Sequence, residues 1–172
     1  IGAGEKKVIP FSFEIPYTTP VTAGKTRIWV QTELDIKMAV DPTDKDFIEV
    51  NASPLANEVL GAVKRLGFRL REVECEKAPL RLSTPHVFIQ EFEFTATNPT
   101  YRRHLDELEV TFINQSADHV EVLLQIDRRA RGLGSFLSEA LDMDESFVQL
   151  TFTDRDVLSI ESTLKQTIER YM

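Results

Sequence analysis

Three aspartates crowd into the stretch VDPTDKDFIEV at Val40 to Val50, and Asp41, Asp44 and Asp46 have the charge and close spacing of ligands for a hard cation. A calcium loop of the EF-hand type needs more than carboxylates: a glycine at its sharp turn and a bidentate glutamate at its end. Here Pro42 follows the first aspartate, the stretch holds no glycine, and Phe47 opens a strand-like alternation where a ligand should stand. The residues predict a turn in which aspartates cap backbone N–H groups and Pro42 fixes φ, leading into a strand over KDFIEV and a helix from Ser53.

A second candidate is DRRARGLG, where Arg128, Arg129 and Arg131 stand beside Gly132 and Gly134 in the one dense basic cluster of the chain. Guanidinium groups grip phosphate or carboxylate bidentately, and the glycines would free backbone N–H groups at a helix start. The competing reading is a solvated loop paired with nearby acids. The glycines make no nucleotide fingerprint, lacking the third glycine of G-x-G-x-x-G and a βαβ frame. In DMDES, Asp142, Asp144 and Glu145 are expected as turn residues between a helix and a strand. His86, His104 and His119 are scattered without zinc spacing, so no metal site is expected. Cys75, in the middle of an alternating stretch, is expected to be a buried, inert thiol.

The elements that must carry these residues follow from periodicity. Alternation with period two recurs through TRIWVQTELDIK, LREVECEK, IQEFEFTA, ELEVTF and HVEVLLQID, placing Val73, Phe92, Phe94, Leu108, Val110, Val122 and Leu124 on apolar faces and glutamates opposite. Trp29 alone breaks the polar face of the first stretch. One-sided strands joined by short turns predict antiparallel sheets stacked as a sandwich. Ser53, Pro54 and Gly67 bracket a helix over 54–66, Leu133 to Leu141 give a short second one, and Val157, Ile160, Leu164 and Ile168 mark a C-terminal helix with Thr153 as its expected N-cap. The C-terminal stripe is expected to dock on its own sheet, with a homodimer through this helix as the alternative.

The 172 residues carry a formal charge of −8 and 42% hydrophobic residues, enough for a sizeable core. The acidic balance argues against nucleic acid and anionic membrane surfaces as partners. No apolar run is long enough for a membrane span, and IGAGEKKVIP does not read as a signal peptide. The single cysteine forbids an internal disulfide and makes the cytoplasm the expected compartment.

Several segments together resemble bacterial arrestin-like proteins of the sporulation-control (SpoOM) family: IPFSFEIPYTTPVT, TRIWVQTELDIKMAVDPTDKDFIEV, LGFRLREVECE, FIQEFEF, LDELEVTF and IDRRARGLGSFLSEALDMDES. The resemblance implies two arrestin-like β-sandwich domains, with the passage between them near Asp41 to Asp46 and the chain opening partway into the first. It implies residues 1–50 for the first domain, 51–153 for the second with helices at 54–66 and 133–141, and 154–172 for a terminal helix. It also implies control of sporulation and stress responses without an enzymatic activity, and so brings no catalytic residues. The expectation is a mostly β, arrestin-like regulatory scaffold that is not an enzyme, needs no cofactor, and binds an unidentified cytoplasmic protein, with Arg128, Arg129 and Arg131 as candidate contacts. The rival is a cation-dependent binding protein or hydrolase built on the Asp41 or Asp142 clusters.

Overall fold

The computed structural model describes residues 5–33, 43–78, 84, 86–128 and 145–172. Two antiparallel sheets organise them. The smaller pairs β1 (Ile28–Glu33) with β2 (Thr43–Ile48), in a register that sets Ile28 opposite Ile48 and Trp29 opposite Phe47. The larger is a five-stranded meander in chain order: β3 (Phe68–Lys77), β4 (Phe88–Ala96), β5 (Leu105–Gln115), β6 (His119–Arg128) and β7 (Glu145–Thr153). The expected β-rich class is therefore what the chain adopts.

Helix α1 (Pro54–Arg65) forms where the sequence signals place it: Ser53 Oγ accepts from the Ala56 N–H at 3.2 Å, proline occupies the first turn, and Lys64 and Arg65 sit in the last. Gly67, at φ +92°, ends it. Its carbonyl is the acceptor for the Thr97 and Asn98 N–H groups and the Thr97 hydroxyl, which ties the helix end to the exit of β4. A short turn of helix, α2 (Pro99–Arg102), follows, capped by Asn98.

The C-terminal helix differs in its start. Thr153 does not cap it; the Asp156 carboxylate accepts from the Thr153 N–H and hydroxyl and holds a 3-10 turn over Asp154–Asp156, and α3 runs Ile160–Tyr171 from Ser159. Those two bonds also hold the Asp156 carboxyl below its ordinary range. Ile160, Leu164 and Ile168 are fully buried, each worth about 2 kcal/mol of transfer free energy. They pack with Leu55, Val59 and Val63 of α1 over the inner sheet face of Phe92, Phe94, Leu108, Val110, Val122 and Leu124. Among the described residues, helices α1 and α3 therefore cover this face. The Arg65 guanidinium, paired with Glu58 and with Glu161 at 2.6 Å, and the Tyr101 hydroxyl, 3.3 Å from Glu169, join the covering elements at their rim.

Candidate interaction surface

Two surfaces concentrate side chains that the core does not use. The first is the outer face of β3, β4 and β5. In β3 a bulge between Leu70 and Glu72 shifts the parity, so Phe68 and Leu70 point inward before it and Val73 after it, while Arg71 is free to reach the outer face. Register then stacks acid on acid: Glu72 lies opposite Glu93, Glu74 opposite Glu91, and Glu93 opposite Glu109. Directly opposed like charges destabilise a sheet, so this arrangement requires compensation.

Part of the compensation comes from cations. Arg71 pairs with Glu93 at 2.8 Å and with Glu107, and Lys25 reaches Glu72 at 3.0 Å and Glu74 at 2.8 Å. The Lys25 bonds hold the Glu72 carboxyl below its ordinary range. The remainder comes from protons. Burial, then the favourable position of the Glu107 carboxylate to accept a proton from neutral Glu93, pushes the Glu93 carboxyl up to about 7; burial and the neighbouring charge of Glu91 push Glu109 up to about 8.

The second surface is the strap over residues 18–27 that joins the hairpin to the large sheet. Gln90, buried on β4, uses its side-chain amide as a strand would use its backbone: Oε1 accepts from the Val21 N–H at 2.7 Å, and Nε2 donates to the Val21 carbonyl at 2.8 Å and to Thr26 Oγ1 at 3.3 Å. Thr22 closes the other side, its N–H donating to the Val50 carbonyl at 2.8 Å and its hydroxyl oxygen accepting from the Val50 N–H at 2.9 Å. Gly24 makes the approach possible, since at φ +56° an added Cβ would lie 2.6 Å from the Val73 carbonyl oxygen. Between strap and β3 lies a groove of about 520 Å³ lined by Lys25, Arg27, Cys75 and Phe88 among others.

Several expectations change here. Cys75 is exposed, because β3 is the edge of the sheet and its far end lies beyond the helical cover; the thiol's polar neighbour is Thr26 Oγ1 at 3.6 Å. Asp44 is a strand residue of β2, opposite Thr32, and does not form a capped turn; Asp46 lies opposite Val30 inside the expected strand, and Asp41 lies outside the described residues. Arg128 is the last residue of β6, opposite Leu105, while Arg129 and Arg131 lie outside the described residues, as do Asp142, Asp144 and the helix expected at 133–141. Glu145 opens β7 opposite Asp127. The described residues hold no group of three or more His, Cys, Asp or Glu able to bind a metal ion.

One constellation invites a catalytic reading. Ser116 Oγ lies 2.6 Å from His119 Nδ1 and donates to Asp118 at 2.7 Å. Serine and aspartate both meet the same imidazole nitrogen, at 2.6 and 3.4 Å, so Asp118 does not orient the ring from the side opposite the serine as a nucleophile–base–acid relay requires. These residues form the β5–β6 turn, where the Ser116 N–H donates to the His119 carbonyl, and the Ser116 bond holds the Asp118 carboxyl low. Trp29, the one residue breaking the polar face of β1, packs edge-on to Phe47 at 6.3 Å with Lys45 Nζ 4.6 Å above its ring.

Residues 1–130 match the family model described as SpoOM protein. The chain belongs to the SpoOM family. It is 41% identical over 175 aligned positions to the sporulation-control protein spo0M of Bacillus subtilis, an alignment covering 99% of this chain and 67% of that protein. The crystal structure of Spo0M from the same organism superposes with a TM-score of 0.80 at 40% identity, over 95% of this chain and 67% of the other. This SpoOM-family chain thus spans two thirds of the relative's length. Strand alternation and the Ser53–Gly67 helix signals place most of its elements; the strap is not among them, since PYTTPVTAGKT shows neither strand alternation nor helical spacing and its partners lie after β2, in β3 and in β4.

Proposed function

We propose that this chain is a non-enzymatic regulatory scaffold of the cytoplasm that acts by binding another protein. Family membership, with a relative named for sporulation control, supports the regulatory role. The observation that carries the binding mode is the apolar surface of the N-terminal third: Trp29 and Phe47 on the hairpin are 45% and 69% exposed, and Ile9, Phe11, Phe13 and Tyr17 are exposed before it. Exposed aromatic side chains in such density mark interaction sites. No helix among the described residues is long and apolar enough to cross a membrane. Self-association through α3 would have to use its outer side and the exposed Leu158, because the Ile160, Leu164 and Ile168 stripe is spent in the chain's own core.

The test is crosslinking capture in the producing cell with the native chain and with the W29A/F47A pair. A protein captured by the native chain and lost from the variant, at unchanged melting temperature, supports the scaffold. Equal capture by both moves the contact elsewhere and overturns the hairpin reading.

A further inference from the structure

We propose that the outer face of β3–β5 is a proton-storing device that couples the stability of the sheet to pH around neutrality, through two carboxyl pairs, Glu91 with Glu109 and Glu93 with Glu107. Both pairs run diagonally between β4 and β5, since the register sets Glu93 opposite Glu109 and Glu91 opposite Thr111. Within each pair one carboxyl raises the other, Glu107 acting on Glu93 and Glu91 on Glu109, as neighbouring acids on one sheet face do. Glu72, Glu74, Glu76, Glu91, Glu93 and Glu109 together line one groove of about 130 Å³.

The surrounding charges define the effect. From β3 come Glu72, Glu74 and Glu76, and Arg71 bound to Glu93 and Glu107; Arg69, opposite Thr95, is the next cation along that strand. From β6, Asp127 stands opposite Glu107, and the uncharged Gln125 stands opposite Glu109. From the strap, Lys25 is committed to Glu72 and Glu74. Glu109 is half-buried, has acids on β4 and on its own strand and, among the described residues, no paired cation, so its proton is the last to leave.

The sign follows from linkage. Glu93 at about 7, Glu109 at about 8 and Glu91, also raised by burial and by Glu76, bind protons more tightly in the folded chain than in the unfolded one. Their contribution is complete below the unfolded carboxylate value of about 4.3 and is lost as pH rises through 7 and 8. Glu72, Asp118 and Asp156, held low, act oppositely and are lost in acid. Stability should peak on the acid side of neutrality, and deprotonation should loosen β4 from β5 first.

The experiment compares melting of the 172-residue chain and its Glu109→Gln variant across pH 6 to 8.5. Glutamine keeps a hydrogen-bonding side chain and cannot ionise. The native midpoint is expected to fall by several degrees across the range, and the variant to fall less and to melt above the native chain at pH 8.5. Because His86, His104 and His119 are common to both, the difference in slope reads Glu109 together with the Glu91 carboxyl coupled to it. A flat or rising native midpoint, or equal slopes, overturns the proposal. Carbon-13 titration of the glutamate carboxyls gives a second readout independent of unfolding: two resonances moving between pH 6 and 9 support it, and all carboxyls titrating below pH 5.5 refute it.

Discussion

Replacing Gln90 with leucine isolates what holds the strap. The substitution roughly keeps volume in a site only 9% exposed, and it deletes the bonds to the Val21 N–H at 2.7 Å, the Val21 carbonyl at 2.8 Å and the Thr26 hydroxyl at 3.3 Å. The first two have near-ideal lengths and net about 1 kcal/mol each, and the half-buried Val21 amide is left without this acceptor, so the expected loss is about 2–3 kcal/mol. For a chain of this size that lowers the melting midpoint by about 4–10 °C. Urea unfolding measures the loss, and thiol labelling of Cys75 reports the local event, because Thr26 lies 3.6 Å from the sulfur and leaves with the strap. Labelling should quicken severalfold under native conditions. A midpoint change below about 0.5 kcal/mol with unchanged labelling would mean that Thr22 and Lys25 hold the strap without Gln90, and the reasoning would fail.

Two further outcomes test the covering helices. Leu164→Ala, which removes a fully buried side chain between α3 and α1, should cost about 2–5 kcal/mol by urea unfolding, the spread reflecting how far the site collapses. Gly67→Ala should cost about 1–3 kcal/mol in the same assay, because φ is +92° and the new Cβ would stand 2.9 Å from Asn98 Cβ; a neutral result would show that the α1 exit relaxes freely.

Strand placement was legible because each strand of the large sheet buries one face, so alternation records burial directly: Val122, Leu124 and Ile126 are wholly enclosed, and the residues between them are not. Even the β3 bulge is written in the sequence as a change of parity from Phe68 and Leu70 to Val73. Three things were not legible. Asp44 reads as part of a turn set by Pro42 ahead of a strand over KDFIEV, yet β2 already begins at Thr43 and pairs Asp44 with Thr32. Cys75 was assigned to the interior by its parity, but parity says which face a side chain takes and not how far the cover extends. The strap depends on contacts separated by up to 69 residues, beyond any local pattern.

Alternation also specifies only that the outer face is polar; it does not demand that glutamate oppose glutamate at Glu72–Glu93, Glu74–Glu91 and Glu93–Glu109. Threonine or lysine would satisfy the same pattern without mutual repulsion. An arrangement that costs stability unless protons or cations are supplied makes the sheet conditional on both, and this chain supplies them from different places: Arg71 through a bulge in β3, Lys25 from the strap, and protons from solvent. Salt screens the exposed Lys25 pairs, whereas the half-buried Glu109 loses its proton only as pH rises. The same face therefore responds to ionic strength at its edge, where the strap attaches, and to pH at its centre, between β4 and β5. If the two responses moved together in every variant, the face would be a single electrostatic unit; Glu109→Gln should weaken the second, leaving the share of Glu93, and leave the first intact.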